Sequence, residues 1–350
     1  MKAYVLHGIN DLRFEEVDKP EIKANEVLVN VKAVGICGSD IPRIFETGTY
    51  SFPLIPGHEF AGVVEAVGDE ADIKWLNKKV GVFPLIPCKE CTSCQNETYE
   101  MCSHYNYLGS RCNGGFAEYV AVPVWNLLEL PEQFDLRQAA MLEPASVALH
   151  AIRRLDLKQE STVALLGLGP IGTIMTQWLS YYGVKKVMAT GHREEFGEVM
   201  KQTADAGYCF ANAHEVDSVS WIKEQTGGLG ADIVIDCVNN SESLSNCLEC
   251  VRPGGQILMV GNPHGDIQVE KKIYWQILRK QVTIKGTWNS SFVHRDDDDW
   301  HMVIRACEEG KLKLLPLISH EMSFEELHKG LDVMREKKEY RNKVMLVSET

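Results

Sequence analysis

The stretch TVALLGLGPIGTIMTQWLSYY, residues 162–182, decides how the chain is read. Thr162–Leu166 is an apolar run of strand length, the glycine loop Gly167-Leu-Gly169-Pro-Ile-Gly172 follows it, and Ile171–Tyr182 continues with helical apolar spacing. A lone G-x-G-x-x-G is a weak signal, but a strand before it and a helix after it make it a strong one. The glycines let backbone approach a pyrophosphate, and the helix N-terminus offers free N–H groups and the positive end of its dipole. Gly167, Gly169, Pro170, Ile171 and Gly172 are therefore candidate cofactor-binding residues. Working outward, Lys186–Ala189, Asp232–Val238 and Gln256–Gly261 read as further strands and Glu194–Ala206 as a further helix. That alternation over residues 147–286 predicts a doubly wound parallel sheet.

The second strand of such a Rossmann sheet bears on the choice of dinucleotide. An NAD site wants Asp or Glu at its end to accept from the ribose 2′-OH. Here the chain reads Met188-Ala-Thr-Gly191-His192-Arg193, so glycine stands where the acid is expected. A carboxylate would repel a 2′-phosphate, whereas Arg193 beside His192 can pair with one. We expect NADP rather than NAD, the opposing reading being that Glu194 or Glu195 takes the ribose.

Around this region the texture changes. Residues up to about 145 look β-rich, with alternating runs such as Glu26–Val34 and Phe60–Val67 between turn residues. The tail after about 287 adds a helix at Trp300–Glu309 and a strand at Lys343–Val347. Asp296–Asp299 reads as a solvated turn. A length of 350 residues suggests two domains and a core that needs no disulfides. With 36 Lys+Arg against 49 Asp+Glu the net charge is −13, which argues against nucleic-acid and anionic-membrane partners. No apolar run reaches the ~20 residues of a membrane span, and the first residues read as a strand and turn, not a signal peptide.

Eleven cysteines then call for metal or redox chemistry in a reducing, cytoplasmic setting. Cys88, Cys91, Cys94 and Cys102 are spaced C-x2-C-x2-C-x7-C. Four thiolates so close can wrap one zinc tetrahedrally, a closed and hence structural site. A ferredoxin-type cluster would place its fourth cysteine three residues on and follow it with proline; here seven residues intervene and Ser103 follows. A disulfide pair is the other alternative. Cys112, Cys209, Cys237, Cys247, Cys250 and Cys307 read as packing residues.

Taken singly, Cys37 in GICGSD, His58 and Glu59 in PGHE, and Glu143 in LEP have bland readings as a buried thiol, a turn imidazole and surface acids. Together with the four-cysteine lobe, GGFAEYVAVP and GLGPIG, and in that order, they resemble the zinc-dependent medium-chain dehydrogenases, most of all their polyol and polyol-phosphate branch. The resemblance covers nearly the whole chain. It implies a GroES-like catalytic domain of residues 1–146 and 287–350, with a zinc lobe at about 84–105, interrupted by the Rossmann domain at 147–286. It also implies two zinc ions per subunit, one structural and one catalytic. Cys37, His58 and Glu143 would hold the catalytic ion, and Glu59 would enter or leave its shell. Three ligands leave an open position at which zinc can lower an alcohol's pKa. Ser39 would pass the released proton on, and Asp40, paired with Lys343, would orient His58. Some relatives carry a relay histidine where this chain has Pro42.

The reaction so implied is reversible oxidation of a secondary hydroxyl of a polyol or polyol phosphate by a nicotinamide cofactor. Arg43, Arg111 and Lys280 are the cations considered for a substrate phosphate. Two other readings stand beside it: a dehydrogenase of an unphosphorylated polyol, and a zinc-stabilised NADP(H)-binding sensor without turnover. The sensor needs the lobe and the glycine loop but not an open Cys37/His58/Glu143 site. The strand Gln281–Ile284, at the end of the sheet, is implied to pair across a twofold in a homodimer or homotetramer.

Overall fold

The computed structural model describes residues 1–205 and 207–348. Nine strands come first: β1 (Lys2–Gly8), β2 (Asp11–Glu16), β3 (Glu26–Ile36), β4 (Glu59–Val67), β5 (Lys79–Val82), β6 (Leu85–Ile86), β7 (Asn106–Tyr107), β8 (Tyr119–Pro123) and β9 (Leu127–Glu129). Helices α1 (Asp40–Phe45), α2 (Thr92–Gln95) and α3 (Leu136–Ala140) lie in the same region, and α4 (Leu142–Arg153) leads out of it. Then come β10 (Thr162–Leu166), α5 (Pro170–Tyr181), β11 (Lys186–Gly191), α6 (Glu194–Thr203), β12 (Cys209–Asn212), α7 (Ser218–Gln225) and β13 (Ala231–Asp236). They are followed by α8 (Ser241–Cys250), β14 (Val251–Met259), α9 (Lys271–Lys280) and β15 (Thr283–Gly286). The tail holds α10 (Asp299–Glu308), β16 (Ile318–Ser323), α11 (Leu327–Glu336) and β17 (Lys343–Val347).

The chain forms two compact units. The first comprises Met1–Pro144, Ser291–Arg305 and Leu317–Thr350, the second Ala145–Ser290 and Ala306–Pro316. Residues 306–316, which the sequence reading left with the tail of the first domain, thus go with the second unit. The local reason is a side-chain clasp: the Gln177 amide donates to Lys313 O at 3.2 Å and accepts from Lys313 N at 2.7 Å.

In the first unit, seven strands form one sheet in the order β16-β17-β3-β4-β5-β9, with β8 also paired to β3. Long alternating strands such as β3 bury Val27, Val29 and Val31 against Phe60, Val64 and Phe116, the heart of this core. The expected solvated turn at Asp296–Asp299 is corrected. Asp298 and Asp299 are buried. Asp298 accepts from Val293 N–H and His301 N–H, and Asp299 from Ser291 N–H at 2.7 Å, so both carboxylates satisfy backbone donors around the start of α10.

The second unit is a six-stranded parallel sheet in the order β12-β11-β10-β13-β14-β15. Its strands β10 and β13 are almost wholly buried, with the apolar runs Val163–Leu166 and Ile233–Ile235 at their centres, as a sheet covered on both faces requires. The helix expected over Glu194–Ala206 ends at Thr203, and Ala206 itself lies outside the described residues. Cys247 and Cys250 are buried in α8. Burial pushes the Cys250 and Cys307 thiols up to about 12 and that of Cys112 to about 11, in keeping with packing roles. No described helix is long and apolar enough to cross a membrane.

Candidate metal centre, cysteine lobe and cofactor loop

The antiparallel pairing of β3 with β4 puts Gly35 opposite Glu59, so Cys37, just past the end of β3, comes beside His58, immediately before β4. Ligand atoms of Cys37, His58 and Glu59 lie within 4.8 Å of one another. Gly35 has no alternative, because a Cβ there would run into the Glu59 carboxylate. On the other side of β3, β17 pairs Val344 with Ile36 and brings Lys343 to the same place. Lys343 Nζ donates to Glu59 Oε2, both side chains being buried. The expected Asp40–Lys343 pair is therefore corrected, since Lys343 serves Glu59.

Asp40, the first residue of α1 and fully buried, instead takes three partners: Cys37 N–H at 3.0 Å, Arg43 Nη1 at 2.9 Å, and His58 Nδ1, facing it at 3.4 Å. That last separation is a charge contact and not a hydrogen bond, and Nδ1 has no hydrogen-bond partner. Burial pulls the two groups towards neutrality, but their attraction wins. Asp40 is held below the usual carboxylate range, and the His58 imidazole well above its usual value. Arg43, one turn along α1, is thereby occupied and drops out as a free phosphate ligand.

Glu143 sits in the first turn of α4 and is buried, but it stands outside the three-donor cluster. Its Oε1 accepts from Tyr107 Oη at 3.3 Å, and burial pushes its carboxyl up to about 7 against the opposing pull of His58. The Tyr107 hydroxyl is raised well above its usual value by burial and by Glu143. Ser39 Oγ lies 3.2 Å from Cys37 Sγ. A thiolate, an imidazole and carboxylates gathered at one buried point form a donor set suited to zinc.

The cysteine lobe is enclosed by the two-stranded pairing of β6 with β7, which sets Leu85 opposite Tyr107. Within it Cys88–Cys94, Cys91–Cys94 and Cys91–Cys102 have Sγ–Sγ separations of 3.9, 3.6 and 3.8 Å. Four sulfurs at ~2.3 Å from a common centre in a tetrahedron would stand about 3.8 Å apart, so the lobe has the dimensions of a closed zinc site. Backbone N–H groups stabilise the charged form of Cys91 and draw its thiol down to about 5.

In the second unit the glycine loop joins β10 to α5. Gly167 has φ +92°, a value that excludes most side chains. At Gly169 the space a Cβ would fill is open, and this N-cap carries no side-chain acceptor, so an anion can reach the first-turn N–H groups. Pro170 begins the helix, where its missing N–H costs nothing. Gly191 closes β11, where a Cβ would press on Leu168 O at 3.1 Å. Beyond it the exposed His192 ring meets His214 edge-on at 4.3 Å, and Arg193 is the N-cap of α6. Lys280 is not available to a substrate. Its ammonium donates to Leu248, Glu249 and Val251 carbonyls, closing the C-terminal end of α8.

Tyr107 and His214 were missed in the sequence. Neither belongs to a spaced motif; only strand pairing and the turn after β12 bring them in.

The chain is similar to known proteins along most of its length. The family description "Alcohol dehydrogenase GroES-like domain" matches residues 23–132, and "Zinc-binding dehydrogenase" matches 170–309. The chain is 32% identical over 333 residues to galactitol 1-phosphate 5-dehydrogenase of Escherichia coli K12, covering 93% of this chain and 94% of that one. It is also 32% identical over 268 residues to sorbitol dehydrogenase of Bacillus subtilis, covering 75% of each. Among solved structures, galactitol-1-phosphate dehydrogenase of Escherichia coli superposes with a TM-score of 0.90 at 32% identity, over 99% of this chain and all of that one. A zinc-binding dehydrogenase from Sinorhizobium meliloti bound to NADP gives 0.89 at 25% identity, over 99% and 98%.

Proposed function

The chain belongs to the zinc-dependent medium-chain dehydrogenases that act on alcohols and polyols, and from that membership we propose that its substrate is a polyol phosphate and its cofactor NADP. The reaction is reversible oxidation of a secondary hydroxyl to a ketone, with the hydride passing to the nicotinamide. The observation that carries the reading is the three-donor cluster of Cys37, His58 and Glu59, with Ser39 beside it and Glu143 next to it.

Zinc held by Cys37, His58 and one or both of Glu59 and Glu143 would supply Lewis acidity to the hydroxyl being oxidised. The chain's own groups do the rest. Asp40 faces the His58 ring and fixes its orientation. Lys343 neutralises Glu59, and Tyr107 holds the Glu143 carboxylate aside by its hydroxyl. Ser39 Oγ, 3.2 Å from Cys37 Sγ, would receive the alcohol's proton while passing its own on to solvent. The four-cysteine lobe would hold a second, structural zinc.

The phosphate is supported by the likeness to galactitol 1-phosphate 5-dehydrogenase; the equal identity to a sorbitol dehydrogenase favours a free polyol as the second reading. A substrate screen pairing each hexitol with its phosphate separates them, and a higher kcat/KM for the free hexitols would refute the first. NADP is supported by Gly191 in the acid's place and by His192 and Arg193 after it. A tenfold preference of kcat/KM for NAD would overturn that part. If Cys37→Ser kept full alcohol-dependent nicotinamide reduction, the zinc chemistry would be wrong and the sensor reading restored.

The exposed edge strand β15, with Ile284 on it and Trp288 just beyond, supports pairing with a second copy into a homodimer or larger homo-oligomer. The strand begins at Thr283, two residues later than expected. Light scattering of Ile284→Lys against the native protein tests this: an unchanged mass would disprove pairing at that edge. Reduced thiolates in the lobe support a cytoplasmic location.

A further inference from the structure

Three cations were candidates for a substrate anion, and their surroundings separate them. Arg43 is tied to Asp40, and Lys280 spends its donors on three carbonyls. Arg111 is different. Its guanidinium carbon lies 4.0 Å from the centroid of the Tyr50 ring and 4.3 Å from that of Tyr105. Its side chain makes no hydrogen bond or ion pair among the described residues, and its Nε is buried without a partner. An arginine held by two rings has its flat faces engaged, while its N–H edge remains for acceptors in the plane.

Arg111 is also anchored to the metal-site residues. Its loop begins at Tyr107, whose ring lies 5.9 Å from that of His58 and 6.2 Å from that of Tyr105. The turn is pinned where Arg111 N–H donates to Tyr107 O and Gly109 N–H to Cys112 O. Gly109 packs on Gly57, the residue before His58, so closely that a Cβ would collide with the Gly57 backbone. The guanidinium is thus separated from His58 by two aromatic rings, Tyr105 and Tyr107, on a loop packed against the residue before His58.

We propose that Arg111 is the specificity-determining residue for the substrate's terminal phosphate, binding two phosphate oxygens through its Nη–H groups while Tyr50 and Tyr105 hold the fork in orientation. The proposal deepens the polyol-phosphate reading and rests on it. It implies that the anion is gripped at one end of the polyol and the oxidised hydroxyl presented at the other.

The test is the ratio of kcat/KM for a hexitol phosphate to that for the free hexitol, measured on zinc-loaded native enzyme, Arg111→Met and Arg111→Lys. Arg111→Met should lower the ratio tenfold to a hundredfold, mainly by raising KM for the phosphate ester. Arg111→Lys, which keeps the charge but loses the fork, should fall in between. An Arg111→Met ratio equal to the native one overturns the proposal, since a residue needed only for folding affects both substrates alike. If the native enzyme shows no preference for the ester, the polyol-phosphate reading has failed. The clamp is then decided by inorganic phosphate as a competitive inhibitor: a Ki at least tenfold weaker in Arg111→Met sustains it, and an equal Ki overturns it. A native preference for a hexonate over the hexitol phosphate would overturn phosphate as the ligand.

Discussion

Lys343→Met gives the most demanding check on the way the metal site is built. Lys343 and Glu59 are a buried ion pair, with side chains 6% and 1% exposed. Removing one partner of such a pair strands the other charge, at a cost of about 3–5 kcal/mol. For a unit of roughly 190 residues, an unfolding entropy of ~2.1 cal/mol/K per residue gives about 0.4 kcal/mol/K, so the midpoint should fall by about 8–12 °C. The assay is thermal unfolding after dialysis against a chelator weak enough to leave the four-thiolate lobe loaded. Zinc at Cys37 and His58 supplies a compensating positive charge beside Glu59, so the loss in the fully loaded enzyme should be less than half as large. In Lys343→Met/Glu59→Gln no charge is stranded, and most of the stability should return. A fall of under 3 °C in Lys343→Met, or a double variant as unstable as the two singles added, would refute the reasoning.

The cysteine lobe predicts that Cys91→Ser lowers bound zinc from two ions per chain to one by elemental analysis and lowers the urea midpoint; unchanged zinc content would remove the lobe as a metal site. Metal uptake at Cys37/His58 should strengthen from pH 6 to pH 8. The His58 proton, held well above its usual value, and that of Glu143, held up to about 7, must both leave before these groups can ligate. Cobalt titration followed by its thiolate absorption reads this, and a flat profile contradicts it. Asp298→Asn should cost about 1.5–3 kcal/mol at pH 7, because charge-assisted bonds become neutral ones. Burial opposes ionisation of Asp298, but hydrogen bonds from His301 and backbone N–H groups hold its carboxyl below the usual range. Its stabilisation is therefore present above about pH 4 and lost as pH falls through the lowered pKa, so urea midpoints of variant and native protein should converge in acid.

The parallel sheet was legible because its signals are local. Strand β10 is the apolar run Thr162–Leu166 as read, and α5 begins one residue before the expected start. Four cysteines no more than fourteen residues apart are readily brought together, and the lobe shows them doing so. The open site was only half legible. Cys37, His58 and Glu59 come together by the register of β3 with β4, which motif order implies without stating it. What pairs with what was not legible, because Lys343 reaches Glu59 through strand β17, 284 residues away in sequence. The Asp296–Asp299 run misled for a related reason: in composition it resembles any solvated turn, and only the backbone around α10 shows two of its carboxylates to be acceptors for backbone N–H groups. Arg111, Arg43 and Lys280 are each a single cation in the sequence, and their partners show which one is unoccupied.

The charges at the open site explain why its protons sit where they do. Asp40, Glu59, Glu143 and a ligating Cys37 thiolate carry four negative charges, and Arg43 and Lys343 carry two positive ones, all close together and mostly buried. The remainder of two negative charges is what a divalent cation neutralises. Protons on His58 and Glu143 do the same, and both groups hold their protons more tightly than usual. Metal and protons thus compete for one fixed deficit, set by the protein. Lys343 limits that deficit. Without it the site carries one more negative charge, so Lys343→Met should bind zinc more tightly at the same time as it folds less stably. A lysine serving only to pack the sheet would weaken both together. Competition for zinc against a chromophoric chelator distinguishes the cases, and an unchanged or weaker affinity in the variant would show that the charges are not balanced in this way.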